Sequence, residues 1–255
     1  MSRYFISLFF GMLFTLGISQ ESKPIDLQSK DTIQRTERYG LRVGIDLSRP
    51  ILSFIDNNYT GLEFVGDYRL KDKLYIAAEI GNEERTQTED LDGIDLYNYT
   101  TNGSYIKLGV DHNTYKNWFG EQNLVTIGGR LAFSSFSQTL NNFRIYETNR
   151  DFNEETFFQL GTEPQEFSGR TAAWLEFVLG YKARLFGNLY GGVSIRLAYL
   201  VSNSDEEGFP NLWIPGFNKV TDGSNFGVGY NYTISYFLPL YKKAKKKKKE
   251  MPNSN

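Results

Sequence analysis

The segment from Phe226 to Tyr241 constrains the fold more than any other. Phe226, Val228, Tyr230, Tyr232, Ile234, Tyr236 and Leu238 share one parity, while Gly227, Gly229, Asn231, Thr233 and Ser235 share the other. Successive side chains of a strand point to opposite faces, so this pattern predicts one greasy face and one small, polar face. Soluble strands usually hold such a pattern over about 4–8 residues. A membrane-spanning strand needs roughly 9–11, and this stretch is long enough.

The pattern recurs seven more times. Its aliphatic parities run through Leu41–Leu47, Leu62–Tyr68, Leu74–Ile80, Ile106–Val110, Val125–Phe133, Ala173–Ala183 and Leu189–Val201. Eight amphipathic strands predict an all-β chain, an antiparallel up-and-down β-barrel that crosses a membrane. The connections at Lys71–Asp72 and Phe186–Asn188 are expected to be tight, and Asn113–Asn123 intermediate. Longer ones are expected at 49–58, 82–102, 137–167 and 202–224. Short turns at one end and long loops at the other belong to outer-membrane barrels. Both chain ends then fall on the short-turn, periplasmic side.

Ionisable residues occupy the parity opposite to the aliphatics. Arg42, Lys107, Arg130, Lys182, Arg184 and Arg196 are therefore expected to face Asp46, Glu63, Asp67, Glu79, Asp111 and Glu176 across the lumen. On the lipid face, an Arg or Lys near the midplane costs roughly 2–4 kcal/mol. Eight strands make a barrel narrow enough for side chains to fill, which predicts a plugged interior. A secreted, soluble barrel of lipocalin type is the alternative, with the apolar parity inward. Strand length, alternating loop lengths and tyrosines near strand ends, where interface girdles sit, favour the membrane version. Tyr230, Tyr232, Tyr236 and Tyr241 are the candidate interface aromatics.

The flanks differ from the body. Residues 1–19 are laid out as a cleaved secretory signal, with Arg3 ahead of the apolar run Phe5–Leu16 and Gly17 and Ser19 behind it. Residues 20–38 read as a periplasmic N-terminal segment, 39–241 as the barrel, and 242–255 as a disordered, lysine-rich periplasmic tail. That tail holds Lys242, Lys243, Lys245, Lys246, Lys247, Lys248 and Lys249. The formal net charge is −2; the tail carries +6 and Arg3 +1, which leaves −9 for the body. An acidic body with a basic tail gives no basis for nucleic-acid binding. No cysteine is present, which excludes disulfides, thiolate metal sites and a lipid-anchored start.

The export signal, eight amphipathic strands, tight turns on one side and an aromatic last strand (Tyr230, Tyr232, Tyr236, Phe237) resemble the small OmpA/OmpX-type outer-membrane barrels of Gram-negative bacteria. The resemblance spans roughly Tyr39 to Tyr241 and is architectural, so it transfers no functional residue. It implies outer-membrane lipid and the barrel-assembly machinery as partners. The lysine tail departs from it, since such barrels often end on an aromatic residue that the machinery reads. Weak contact of the tail with cell wall or anionic lipid is expected.

No cofactor is expected. His112, the only histidine, lies in His112-Asn113-Thr114-Tyr115 and lacks the serine of the H-x-S-N arrangement that lipid A deacylase barrels use. No catalytic residue is assigned, and a lipid-modifying barrel enzyme is kept as an alternative. Asp90, Asp92 and Asp95 are weak calcium candidates without an EF-hand register. The stretch Arg49–Ile55 is too apolar for a free outer loop.

Overall fold

The computed structural model describes residues 36–91, 94–115, 123–146, 157–160, 163–204, 209–220 and 223–244. The export signal, most of the 20–38 segment and the tail from Lys245 lie outside the described residues.

Eight long strands form the wall: β1 (Thr36–Asp46), β2 (Tyr59–Arg69), β3 (Leu74–Leu91), β4 (Ile94–Asn113), β5 (Leu124–Tyr146), β7 (Gln165–Phe186), β8 (Leu189–Asn203) and β11 (Phe226–Ala244). Each pairs antiparallel with its neighbour along the chain, and β1 pairs with β11, which closes the ring. The fold is an eight-stranded antiparallel up-and-down β-barrel, and closure leaves no continuous free edge. A four-residue strand, β6 (Phe157–Leu160), pairs with the far end of β5. The helix α1 (Ser48–Ile55) connects β1 to β2. A small hairpin, β9 (Trp213–Ile214) and β10 (Asn218–Lys219), stands in the connection from β8 to β11.

One end carries the turn 70–73, Thr114 and Asn123 after β4 and before β5, the turn at Gly187–Asn188 and both ends of the barrel chain. Leu70 and Lys71 donate their N–H groups to the Leu74 carbonyl. Gly187 has φ +53, a conformation that glycine takes without Cβ strain. The opposite end carries α1, the β3–β4 tip, β6 and the inserted hairpin.

Three differences from the sequence reading follow from the same physics. The expected long loops at 82–102 and 137–167 are largely strand: β3 and β4 pair as far as Leu91↔Ile94, and β5 runs to Tyr146. Beyond Ile80 the outward parity turns polar (Asn82, Glu84, Thr86), so hydrophobic alternation vanishes while backbone pairing continues. The wall is also longer at the short-turn end, with Thr36 paired to Ala244, so the last strand passes Tyr241 and takes in Lys242 and Lys243. Finally, the connection after β8 is not a free outer loop. Asn211, Ile214 and Phe217 within it are buried.

Candidate functional site

The two faces of the wall differ sharply. Val43, Phe64, Ile80, Leu108, Leu131, Phe177, Ile195 and Tyr230 are among the large apolar side chains exposed on the outside. Arg42, Asp46, Glu63, Asp67, Glu79, Lys107, Asp111, Arg130, Glu176 and Arg196 are buried on the inside. Both sets follow from parity, because charged and aliphatic residues alternate along each strand.

The interior charges form layers. Near the short-turn end, the Arg42 guanidinium donates to Asp67 at 2.6 Å, and Lys182 reaches the other Asp67 oxygen at 2.6 Å. The rings of Tyr75 and Tyr190 flank Arg42, each 5.2 Å from its centre. The next layer is a chain. Asp111 accepts from Arg130 at 2.7 Å, Arg130 donates to Glu79 at 3.1 Å, and Arg196 bridges Glu79 and Glu176. Lys107 closes it at 2.9 Å from Glu176, whose carboxylate also accepts from Trp174 Nε1 at 2.8 Å. Buried charge is tolerated when it is closely paired and hydrogen-bonded; every carboxylate of these two layers has a cationic partner within 3.1 Å, while Arg196 Nε is left without a hydrogen bond. Arg184 is the exception in the expected set. It is exposed at the short-turn rim and donates to the Gly187 carbonyl at 2.6 Å.

A third layer joins the barrel to α1. Asp46 accepts from the Ser48 N–H at 3.0 Å, which steadies the first turn of the helix. Asn231 donates to Asp46 and to Glu63. Tyr105 donates to Glu63 at 2.6 Å. Arg49 of α1 reaches into this layer, 3.0 Å from Glu83 and 3.9 Å from Glu63. Burial disfavours the Arg49 charge, but the facing Glu83, Tyr105 and Glu63 outweigh it and hold the guanidinium above its ordinary value.

Above this layer the lumen holds an apolar core, with the buried Arg170 beside it. Ile214 and Phe217 of the hairpin pack among Tyr105, Ala132, Phe136, Trp174 and Leu200. Gly216 has φ +82, and a Cβ there would stand 2.6 Å from the Tyr105 ring, so only glycine fits the bend against β4. Gln138 accepts from the Leu212 N–H and donates to the Pro210 carbonyl, and Arg170 donates to Asn211 and the Phe209 carbonyl. Trp213 joins Tyr59 and Tyr99 in a second cluster, with Leu52 of α1 against it.

Sequence reasoning singled out Arg49–Ile55 without placing Arg49 in the charge network, and it missed Glu83, Gln138, Arg170 and the hairpin. Glu83 was legible in principle, because it continues the inward parity of Glu79. The hairpin carries a signal too: Phe209, Leu212, Trp213, Ile214 and Phe217 are too apolar for a solvated loop.

The other candidates are dispersed. Tyr230, Tyr232 and Tyr236 are exposed on the outer face of β11, and Tyr241 stacks on Tyr39 at 5.2 Å near the short-turn rim. His112 faces outward at the same end, in register with Leu74 and Ile127. Asp90 and Asp95 are register partners at the β3–β4 tip, and Asp92 lies outside the described residues. Of the lysine run, only Lys242 and Lys243 fall within the described strand.

Two solved structures are similar to this chain. Ail, the attachment invasion locus protein of Yersinia pestis, shares 10% identity over 80% of this chain and 99% of its own, with a TM-score of 0.38. CarO of Acinetobacter baumannii shares 12% identity over 79% and 98%, also with a TM-score of 0.38. These scores are low, and the barrel rests on the strand registers of the chain itself. A comparison with curated proteins finds no match. The model of the family described as Domain of unknown function (DUF6048) matches residues 1–243, and the protein belongs to that family.

Proposed function

We propose that the protein is an outer-membrane β-barrel with a plugged lumen, both barrel ends on the periplasmic side, working through the surfaces of its long end rather than as a pore or an enzyme. One observation carries the reading: over one belt of the wall every long strand turns large apolar side chains outward, while polar and charged ones there turn inward. On β8 the outward positions Val193, Ile195, Leu197, Tyr199 and Val201 are all exposed, about the length a spanning strand needs. Each large apolar side chain left in water forgoes roughly 1.5–3 kcal/mol. Repeated around the ring, that loss is incompatible with a soluble state, and a lipid surround removes it. The inward-apolar arrangement of a ligand-carrying soluble barrel is the reverse of this one.

The plug reading is supported by the ion-pair layers, Arg49 and the hairpin core, which succeed one another along the lumen. The enzyme alternative has little support, since His112 faces outward at the short-turn end.

Membrane fractionation tests the location. The mature protein is expected in outer-membrane fractions, with heat-modifiable migration on gels; recovery as a soluble periplasmic protein would refute the reading. Planar-bilayer recordings test the plug: small, rare currents are expected, and large, stable ones would show an open pore.

A further inference from the structure

The wall is not equally high all round. β1 ends at Asp46, whose register partners are Thr233 on β11 and Glu63 on β2. From Tyr232 back to Phe226, β11 pairs with β8 alone among the described strands. The space above β1 is occupied by α1, which packs on β2 and reaches β11.

α1 is held there from several sides. The Leu47 N–H donates to the Tyr232 carbonyl of β11 at 2.6 Å. Ser53 Oγ accepts from the Gly61 N–H of β2 at 3.0 Å. Arg49 and Leu52 point toward the lumen layers already described. This fixes the opposite face, where Ile51, Phe54 and Ile55 are 47%, 89% and 76% exposed. The only charged side chain of the helix is Arg49, which faces inward.

We propose that α1 is a lipid-contacting segment that completes the apolar exterior above β1, with Ile51, Phe54 and Ile55 seated at the headgroup–acyl boundary of the outer leaflet. The inference rests on the membrane reading. The occupant follows from continuity: the helix is flanked by the outward apolar residues Leu62 and Phe64 of β2 and Tyr230 and Tyr232 of β11, all exposed. A surface that is apolar on both sides of the gap requires the filler to be apolar too. An amphipathic helix lying in the interface plane, apolar face toward the acyl chains, meets that requirement. Arg49 then ties the lipid-facing helix to the lumen carboxylates, so that one element serves both the membrane boundary and the plug.

The chain has no cysteine, so single-cysteine spin labels report one site each. Labels are placed by Phe54→Cys and, separately, Ile55→Cys in the full-length barrel in phosphatidylcholine/phosphatidylglycerol vesicles. Leu131→Cys on the wall exterior and Glu84→Cys on the polar extension of β3 serve as references. Collision with oxygen, which concentrates in lipid, is compared with collision with a water-soluble nickel chelate. The expected oxygen-to-chelate ratio at both helix positions is several-fold above that of Glu84→Cys and below that of Leu131→Cys. A ratio equal to that of Glu84→Cys at both positions would overturn the proposal in favour of a solvated face. Protection from both reagents would overturn it in favour of a protein partner or a second copy. A water-like ratio at Leu131→Cys would overturn the membrane reading itself.

Discussion

Arg49 Nη1 lies 3.0 Å from Glu83 Oε1, joining the helix between β1 and β2 to an inward position on β3. The Glu83 side chain is fully buried and also accepts from the Gly216 N–H at 3.3 Å. The same carboxylate thus touches both elements that enter the lumen from the long end. Replacing Arg49 by alanine leaves Glu83 and Glu63 with less cationic compensation. A loss of about 3–5 kcal/mol is expected, the usual effect of removing one partner of a buried pair. Adding Glu83→Gln should recover part of it. Urea unfolding in detergent checks this, and a single variant that unfolds at the wild-type midpoint would show that the Arg49–Glu83 pair does not hold the helix.

Gly216→Ala tests the hairpin. The new methyl meets the Tyr105 ring and the positive φ, so the hairpin must shift. Faster tryptic cleavage at Lys219 and the appearance of current steps in bilayers are expected. Gly223→Ala is the control, with φ +73 but open space around it; it should cost only about 1–2 kcal/mol of backbone strain and leave the bilayer silent.

Asp67 is shared by Arg42 and Lys182. Lys182→Met should destabilise less than Arg42→Met, because Arg42 makes several hydrogen bonds to Asp67 and is more deeply buried. The double variant should be worse than additive, with a coupling of roughly 0.5–3 kcal/mol, since Asp67 then loses both cations. A thermal-melt double-mutant cycle measures it.

The C-terminal boundary can be placed by truncation. Removing residues from Lys245 onward keeps every rung from Thr36↔Ala244 inward, so heat-modifiable folding should be unchanged. Removal from Tyr241 onward deletes the partners of Thr36–Tyr39 and the Tyr39–Tyr241 stack, and a lower melting temperature is expected. If the lysine run is a tether, the shorter cut alone should weaken binding to anionic vesicles at low salt, at up to about 1 kcal/mol per lysine. Equal vesicle binding with and without the run would make it a solvated tail.

His112→Ala should leave the lipid composition of overexpressing cells unchanged, as expected for an outward side chain at the short-turn end. Lipid modification that depends on His112 would restore the enzyme alternative.

The sequence by itself determined the wall. Val193–Val201 and Phe226–Leu238 alternate with period two, and that period is a local property of extended backbone, so parity alone separated the exterior from the charged interior. It could not place the far halves of β3, β4 and β5. There Asn82, Glu84 and Thr86 face out while Glu83 and Arg85 face in, and a strand that is polar on both faces has no hydrophobic period to detect. Nor could it decide what fills the lumen. The pairing of Arg49 with Glu83 and the fit of Gly216 against Tyr105 join residues far apart in the chain. They meet only once the antiparallel registers close the ring and bring β3 and β4 beside α1 and the hairpin. Tertiary structure decided those contacts because it alone sets which inward positions share a level of the barrel.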